Sequence, residues 1–267
     1  MSDKTTTGTF GDHLEALRPH LLRSAAVFVA IFAAAFLFRG LLVDGLLFGP
    51  LNPQFPTNRM LAWLASAVGS DVPADSGIQL TLVSTTLAGQ FNLHMKIAFF
   101  AALVASFPYM VWELWRFVRP ALTEREAHAC RSMTGWVSAC FLTGAAFGYV
   151  VLVPFTVRFL ANYNVSDAVG NMVDANSYLA TVVNITLVCG LVFQLPLLVW
   201  FLARAGFIGS AFMCRYRRHA MFALAVLSAV VTPPDIVSMI LIIIPLCALY
   251  ELSVHIARRV ESAAGRQ

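Results

Sequence analysis

Charge is scarce in this sequence. Of 267 residues only 12% are Asp, Glu, Lys or Arg, about half the share an ordinary soluble domain carries. Cysteine is sparse as well: Cys130, Cys140, Cys189, Cys214 and Cys247 are odd in number, lie in or beside apolar runs and form no Cys-x-x-Cys pair. That excludes a disulfide framework and a zinc site, and leaves them as small buried side chains. Absent too are His-Glu-x-x-His, Gly-x-Ser-x-Gly and any glycine-rich phosphate loop, and no two of the six histidines sit at metal-ligand spacing. These absences argue against an enzyme: no catalytic residue, metal or cofactor is assigned. No internal repeat is evident.

What is abundant is apolar sequence in long runs. Hydrophobic residues make up 59% of the chain and the mean hydropathy is +0.75, which identifies a polytopic membrane protein. Six segments emerge, Leu21–Val43, Asn92–Trp115, Ser132–Val157, Tyr178–Leu202, His219–Val231 and Ile236–Ile256. The first four are long enough for a hydrocarbon core of ~30 Å. The fifth reaches only ~20 Å as a helix, so the last pair reads as a short hairpin. The first segment is longer than a signal-peptide core of about 7–15 residues and is expected to stay in the membrane. The predicted fold is therefore an all-α membrane protein with six transmembrane helices, the last two short, in one domain over residues 1–267.

Lys and Arg set the orientation. Fourteen of the eighteen fall in the N-terminal arm, the second-to-third and fourth-to-fifth connections and the tail, Arg116, Arg119, Arg204, Arg217 and Arg258 among them. The other side carries Arg39, Arg59, Lys96 and Arg158 beside Asp44, Asp71, Asp75, Asp167 and Asp174. Both termini are thus predicted to be cytoplasmic, and the basic residues need no nucleic-acid partner. Residues 44–91 form an external cap loop, too long to lack structure of its own. Thr232-Pro233-Pro234-Asp235 becomes the external turn of the last hairpin, with Asp235 placed to cap the sixth helix. Irregular backbone at that depth needs protein or a water-filled cavity around it.

Polar residues at the cytoplasmic side admit two readings each. In the arm, residues 8–20, Phe10, Leu14, Leu17 and Leu21 share one face of an amphipathic surface helix. Pro19 is expected to kink it away from the first span. Asp12 as cap with Glu15 three residues on gives Glu15 a structural reading. Thr123 and Glu126 likewise fit a capping box opening the third span, although Glu126 is equally a carboxylate able to clamp a guanidinium. Inside the spans, Gln194 lies near the midplane, suited to a helix–helix hydrogen bond. Glu251 lies one and a half to two turns from the cytoplasmic end, an intramembrane carboxylate and so a functional candidate. Pro108, Pro154, Pro196 and Pro245 make their helices irregular.

Taken together, several stretches resemble TatC, the multi-spanning receptor subunit of the twin-arginine protein translocase. The arm carries His13-Leu14-Glu15-Ala16-Leu17-Arg18 where the family has His-Leu-x-Glu-Leu-Arg. The first cytoplasmic loop resembles the family in Trp115-Arg116-Phe117-Val118-Arg119-Pro120-Ala121-Leu122 followed by Glu126, the fourth span in Ser177-Tyr178-Leu179 and Phe193-Gln194-Leu195-Pro196, and the last hairpin in Thr232-Pro233-Pro234-Asp235. The motifs occur in order over nearly the whole chain. The resemblance implies a concave six-helix bundle in the bacterial cytoplasmic (inner) membrane. It implies a receptor that docks signal peptides bearing an Arg-Arg pair at Glu126 and Glu15, with Arg18, Leu14, Phe117 and Pro120 around them. It also implies export of folded proteins driven by the proton gradient, with single-span TatA/TatB-type subunits and further copies as partners. Gln194, Glu251, Asp235 and Pro234 are the candidate partner contacts. Two departures stand out: the arm's family glutamate falls on Ala16, and the polar position of the fourth span, often Glu, is Gln194. The alternative is a secondary transporter of a small solute, which would favour inverted repeats and broken helices converging on a midplane site.

Overall fold

Apolar runs of this length close their own backbone hydrogen bonds only as helices, and helices are what the chain forms. The computed structural model describes residues 10–67, 80–118, 124–163, 172–204, 206–231 and 236–264, without the side chains at 10–14, 64–67, 118, 124–133, 162, 230–231, 236–238, 241 and 263–264. The helices are α1 (Phe10–Leu37), α2 (Pro56–Ala67), α3 (Gly89–Val118), α4 (Glu124–Phe147), α5 (Val153–Asn162), α6 (Ala175–Val192), α7 (Leu195–Arg204), α8 (Ser210–Arg215), α9 (Arg217–Val231) and α10 (Ile236–Ala264). Two strands, β1 (Leu82–Val83) and β2 (Val173–Asp174), pair in parallel. Among the described residues four stretches are long and apolar enough to cross a membrane: Glu15–Leu37, Gly89–Phe117, Thr134–Ala161 and Ala175–Arg204. They coincide with the first four expected spans, and the last two expected spans fall on α9 and α10.

The chain divides into two compact units, one of Met1–Phe38 with Ala98–Ala139, the other of Arg39–Ile97 with Cys140–Gln267. In the first, the rings of Phe28 and Phe99 meet edge to face at 5.1 Å, joining α1 to α3. The larger unit holds a core of Leu47, Phe141, Leu152, Val153, Leu179, Val182 and Ile185. Here α4 and α6 approach closely. A Cβ on Gly144 would stand 2.6 Å from the Cys189 carbonyl oxygen and 2.6 Å from the Phe193 Cβ, and one on Gly148 would stand 2.9 Å from the Cys189 Cβ. Small residues four apart let two helices touch along their backbones, a common device where lipid removes the hydrophobic drive to pack.

Irregular backbone in this unit finds its donors. Leu41–Leu47 and Gly148–Leu152 are π-helical, so their ladders are displaced. The Tyr149 hydroxyl donates to the Leu46 carbonyl at 2.5 Å and the Tyr178 hydroxyl to the Leu47 carbonyl at 2.8 Å. Pro154 has no N–H for the Val150 carbonyl four residues earlier, and the Thr57 hydroxyl donates to that carbonyl. Among the described residues of the 44–91 segment are the helix α2 and the strand β1. At its far end β1 lies on β2, and Asp174 caps α6 by accepting from the N–H groups of Asn176 and Ser177 at 3.1 and 3.2 Å.

Three expectations need correction. The helix α1 runs without a break through Pro19: losing one N–H in the third turn of a 28-residue helix does not end it. Asp12 lies inside that first turn, after Phe10 and Gly11, so it is not the cap. The last helix is not short: α10 has 29 residues, because Ala257 and Val260 beyond the apolar run, with Val254 near its end, pack with Ala203 and Met213 of α7 and α8. Only α9, with 15 residues or ~22 Å, is short. The turn Thr232–Asp235, and with it Pro234 and the Asp235 cap, lies outside the described residues, as do Pro120 and the Thr123 end of the proposed capping box.

The Gly144 contact yields a prediction. Gly144→Val forces a side chain against the α6 backbone and lowers stability by about 1–3 kcal/mol, the usual cost of overpacking, whereas Gly135→Val, where nothing lies within 4 Å of an added Cβ, changes it little. Thermal unfolding of both purified variants in detergent makes the comparison.

Candidate functional site

At the arginine-bearing end of α3 the repeat Tyr109, Glu113, Arg116 places three polar side chains on one helical face, three and four residues apart. Glu113 is 1% exposed. A carboxylate so deeply enclosed is costly unless paired and fully hydrogen-bonded, and Glu113 has three donors. Arg116 Nη1 reaches its Oε1 at 3.2 Å and the Tyr109 hydroxyl donates to the same oxygen at 3.0 Å. The other oxygen, Oε2, lies 2.5 Å from Nδ1 of His20 on α1. An ionised carboxylate only accepts, so Nδ1 carries the proton of that bond. Aromatic rings frame the group: Arg116 lies over the Trp112 ring at 4.8 Å, and Phe117 meets the His20 ring edge-on at 6.1 Å.

This bond fixes how the arm presents its residues. Glu15 precedes His20 by five positions, about 140° around a helix at 100° per residue, and Arg18 by two, about 160° the other way round. With His20 turned onto α3, both point away from it, and both are exposed. Ala16, one turn before His20, lies on nearly the same face as the histidine. Phe117 is half-buried against His20. Glu126 sits in the first turn of α4; its side chain and that of Leu14 are not among those described. Thus α1 and α3 bring Glu15, Arg18 and Phe117 to one end of their unit. Glu113 and His20, which join them, are not among the residues that the motifs single out.

The remaining candidates lie in the larger unit. Gln194 is half-buried at the turn between α6 and α7, and its Nε2 reaches the Gly190 carbonyl at 3.5 Å. Glu251 forms an ion pair with Arg217 across α9 and α10, both side chains substantially exposed. Nearby, the Tyr250 hydroxyl donates to the Met213 carbonyl at 2.9 Å, and Glu261 accepts from the N–H of Ser210 at 2.7 Å and from its hydroxyl. Glu251 therefore belongs to the polar seam that holds α8 and α9 on α10. Among the described residues, no group of three or more His, Cys, Asp or Glu is placed to hold a metal ion.

Residues 12–245 match the family model of the Sec-independent protein translocase protein TatC. The chain belongs to the TatC family. A family member from Blattabacterium is 30% identical over 259 residues, covering 96% of this chain and 97% of its own length. One from Helicobacter pylori strain J99 is 38% identical over 183 residues, covering 68% and 73%. The fold is also that of a crystal structure of the twin-arginine translocase receptor TatC, with a TM-score of 0.68 over 93% of this chain and 99% of that one at 22% identity. This is accordingly a multi-pass membrane protein of protein transport, a component of the Sec-independent translocase.

For Glu251 the exposure of the pair decides the magnitude. Glu251→Gln should cost less than about 1 kcal/mol, in keeping with partly exposed ion pairs, and leave translocation of a reporter substrate unchanged. A large loss of transport in a stably folded E251Q protein would assign Glu251 a functional role.

Proposed function

We propose that this chain is the receptor of its translocase. It binds signal peptides that carry an Arg-Arg pair on its cytoplasmic face and, with single-span TatA/TatB-type subunits, exports folded proteins across the bacterial inner membrane at the expense of the proton gradient. The orientation rests on the Lys and Arg bias, with both termini inside and six spans, the fifth and sixth being α9 and α10. Pro120 and Glu126 of the first loop join Glu15, Arg18, Leu14 and Phe117 in the docking site. Gln194, Asp235 and Pro234 serve contact with partner helices.

The observation that supports this reading best is the hydrogen bond between His20 and Glu113. It ties the arm carrying Glu15 to the end of α3 from which the loop to Glu126 departs. Two carboxylates, one from Glu15 on α1 and one from Glu126 on α4, suit two guanidinium groups, each charge-assisted contact contributing about 1.5–3 kcal/mol. A lysine pair keeps the charge but lacks the planar fork that engages a carboxylate with two parallel bonds. Membership of the family and the absence of any evident repeat disfavour the solute-transporter alternative.

Replacing Glu126 by Gln should abolish export of a twin-arginine substrate while membrane insertion and unfolding temperature stay as in the parent. Photo-crosslinking supplies the direct test. A twin-arginine peptide should label the arm and first loop and a Lys-Lys version should not, whereas equal labelling by both removes the receptor assignment. Gln194→Leu should weaken co-purification of the single-span subunits; unaltered assembly and export would reduce Gln194 to a structural role.

A further inference from the structure

The buried carboxylate at the end of α3 has no part in the docking site as the motifs define it. Glu113 is 1% exposed, and its two oxygens are occupied by Tyr109 and Arg116 of its own helix and by His20 of α1. Its partners divide by origin. Tyr109 and Arg116 are one turn away on α3 and would surround Glu113 whatever α1 did. His20 comes from 93 residues away and is the one contact of the three that joins two helices.

We propose that Glu113 anchors the N-terminal arm through His20 and is thereby a positioning residue for the arm carboxylate Glu15. The geometry is specific. Arm residues before His20 include Pro19, which cannot donate to the Glu15 carbonyl, so the arm's own helix is weakest between Glu15 and His20. Because α1 nevertheless runs on through Pro19, a tether at His20 also sets the direction of the turns before it, and the turn of the helix carries Glu15 outward. Ala16 matters here too. Position 16 lies one turn from His20, on nearly its face, and a carboxylate there would compete with Glu113 for the same imidazole. With alanine at 16, His20 is left to Glu113, and the arm's carboxylate stands one residue earlier, on the exposed side. The shift of the glutamate from 16 to 15 and the burial of Glu113 against His20 are thus two halves of one arrangement. The role given to Glu15 rests on the receptor reading above; the anchor itself does not.

Two readouts separate the claims, both on the full-length protein in detergent or membranes. Spin labels at the exposed positions Arg18 and Ala105, in a chain whose five cysteines are replaced by alanine or serine, report the spacing of arm and α3 by pulsed electron resonance. The parent should give one narrow distance peak. His20→Ala and Glu113→Ala should both lose it, and His20→Arg, which keeps a donor for Glu113, should retain it. His20→Ala removes a partly exposed side chain and keeps the test usable if Glu113→Ala does not fold. A narrow peak that survives in His20→Ala overturns the anchor. Separately, in chains without spin labels, a photoreactive residue at Ala16 or at Leu122 reports contact with a twin-arginine peptide. Positioning by Glu113 requires His20→Ala to lose labelling at 16 and keep it at 122, with His20→Arg restoring the parent pattern. Labelling at 16 that persists after the distance peak is lost overturns the positioning role. A parent protein labelled alike by Arg-Arg and Lys-Lys peptides overturns the receptor reading and the positioning role with it, while the distance peak still decides the anchor.

Discussion

A membrane helix has nowhere to place an unpaired carbonyl, and the larger unit is arranged around that constraint. In water a proline or a π-turn leaves groups that solvent satisfies; in hydrocarbon each costs several kcal/mol. Here the carbonyls of Leu46, Leu47 and Val150 accept from Tyr149, Tyr178 and Thr57. Each donor comes from another element, so satisfying the backbone also fastens the segments together. Thr57 lies on α2, which is why a helix of the connecting segment packs against the π-turn after α4. The irregularities are joints rather than defects.

Close approach depends on the same economy of polar groups. With carbonyls satisfied, α4 and α6 gain by touching, and glycine at 144 and 148 removes the side chains that would separate them. Gly190 admits the ring of Phe141 in the same way. The resulting contact is dispersion between well-fitted surfaces, small per atom pair and large when summed. It also explains why Phe141, Ile185 and Leu152 are almost completely enclosed in a protein whose first helix is almost wholly uncovered.

The spans were legible because lipid imposes a minimum apolar length, and Leu21, Asn92, Ser132 and Tyr178 each begin such a run. The arm and its motif were legible from their residues alone. What escaped was anything set by distant partners. Glu113 has an i+3 arginine and an i−4 tyrosine, which read as a surface pair; only the approach of His20 makes it a buried junction. Glu251 drew attention as a carboxylate in an apolar run, yet its partner Arg217 lies on the neighbouring helix and neutralises it. The length of α10 escaped for the same reason, since Ala257 and Val260 look like a solvent-facing tail until Met213 and Ala203 are placed beside them. Pro19 misled in the other direction: its local cost is real, but the flanking turns outweigh it.

Two glutamates on neighbouring helices therefore have opposite circumstances. Glu113 is enclosed and given three donors, so its charge is spent inside the protein and its position is fixed. Glu15 is exposed, five residues from the histidine that Glu113 holds, and its charge is available. On the receptor reading proposed above, a guanidinium arriving from solution meets the second carboxylate, and the service proposed for the first is to keep that meeting place still. Without the restraint, each encounter would have to order the arm as well as form the contact, and ordering even a few residues costs about as much as a charge-assisted bond contributes. On that proposal, recognition at this end of the molecule depends as much on a buried hydrogen bond as on any exposed charge.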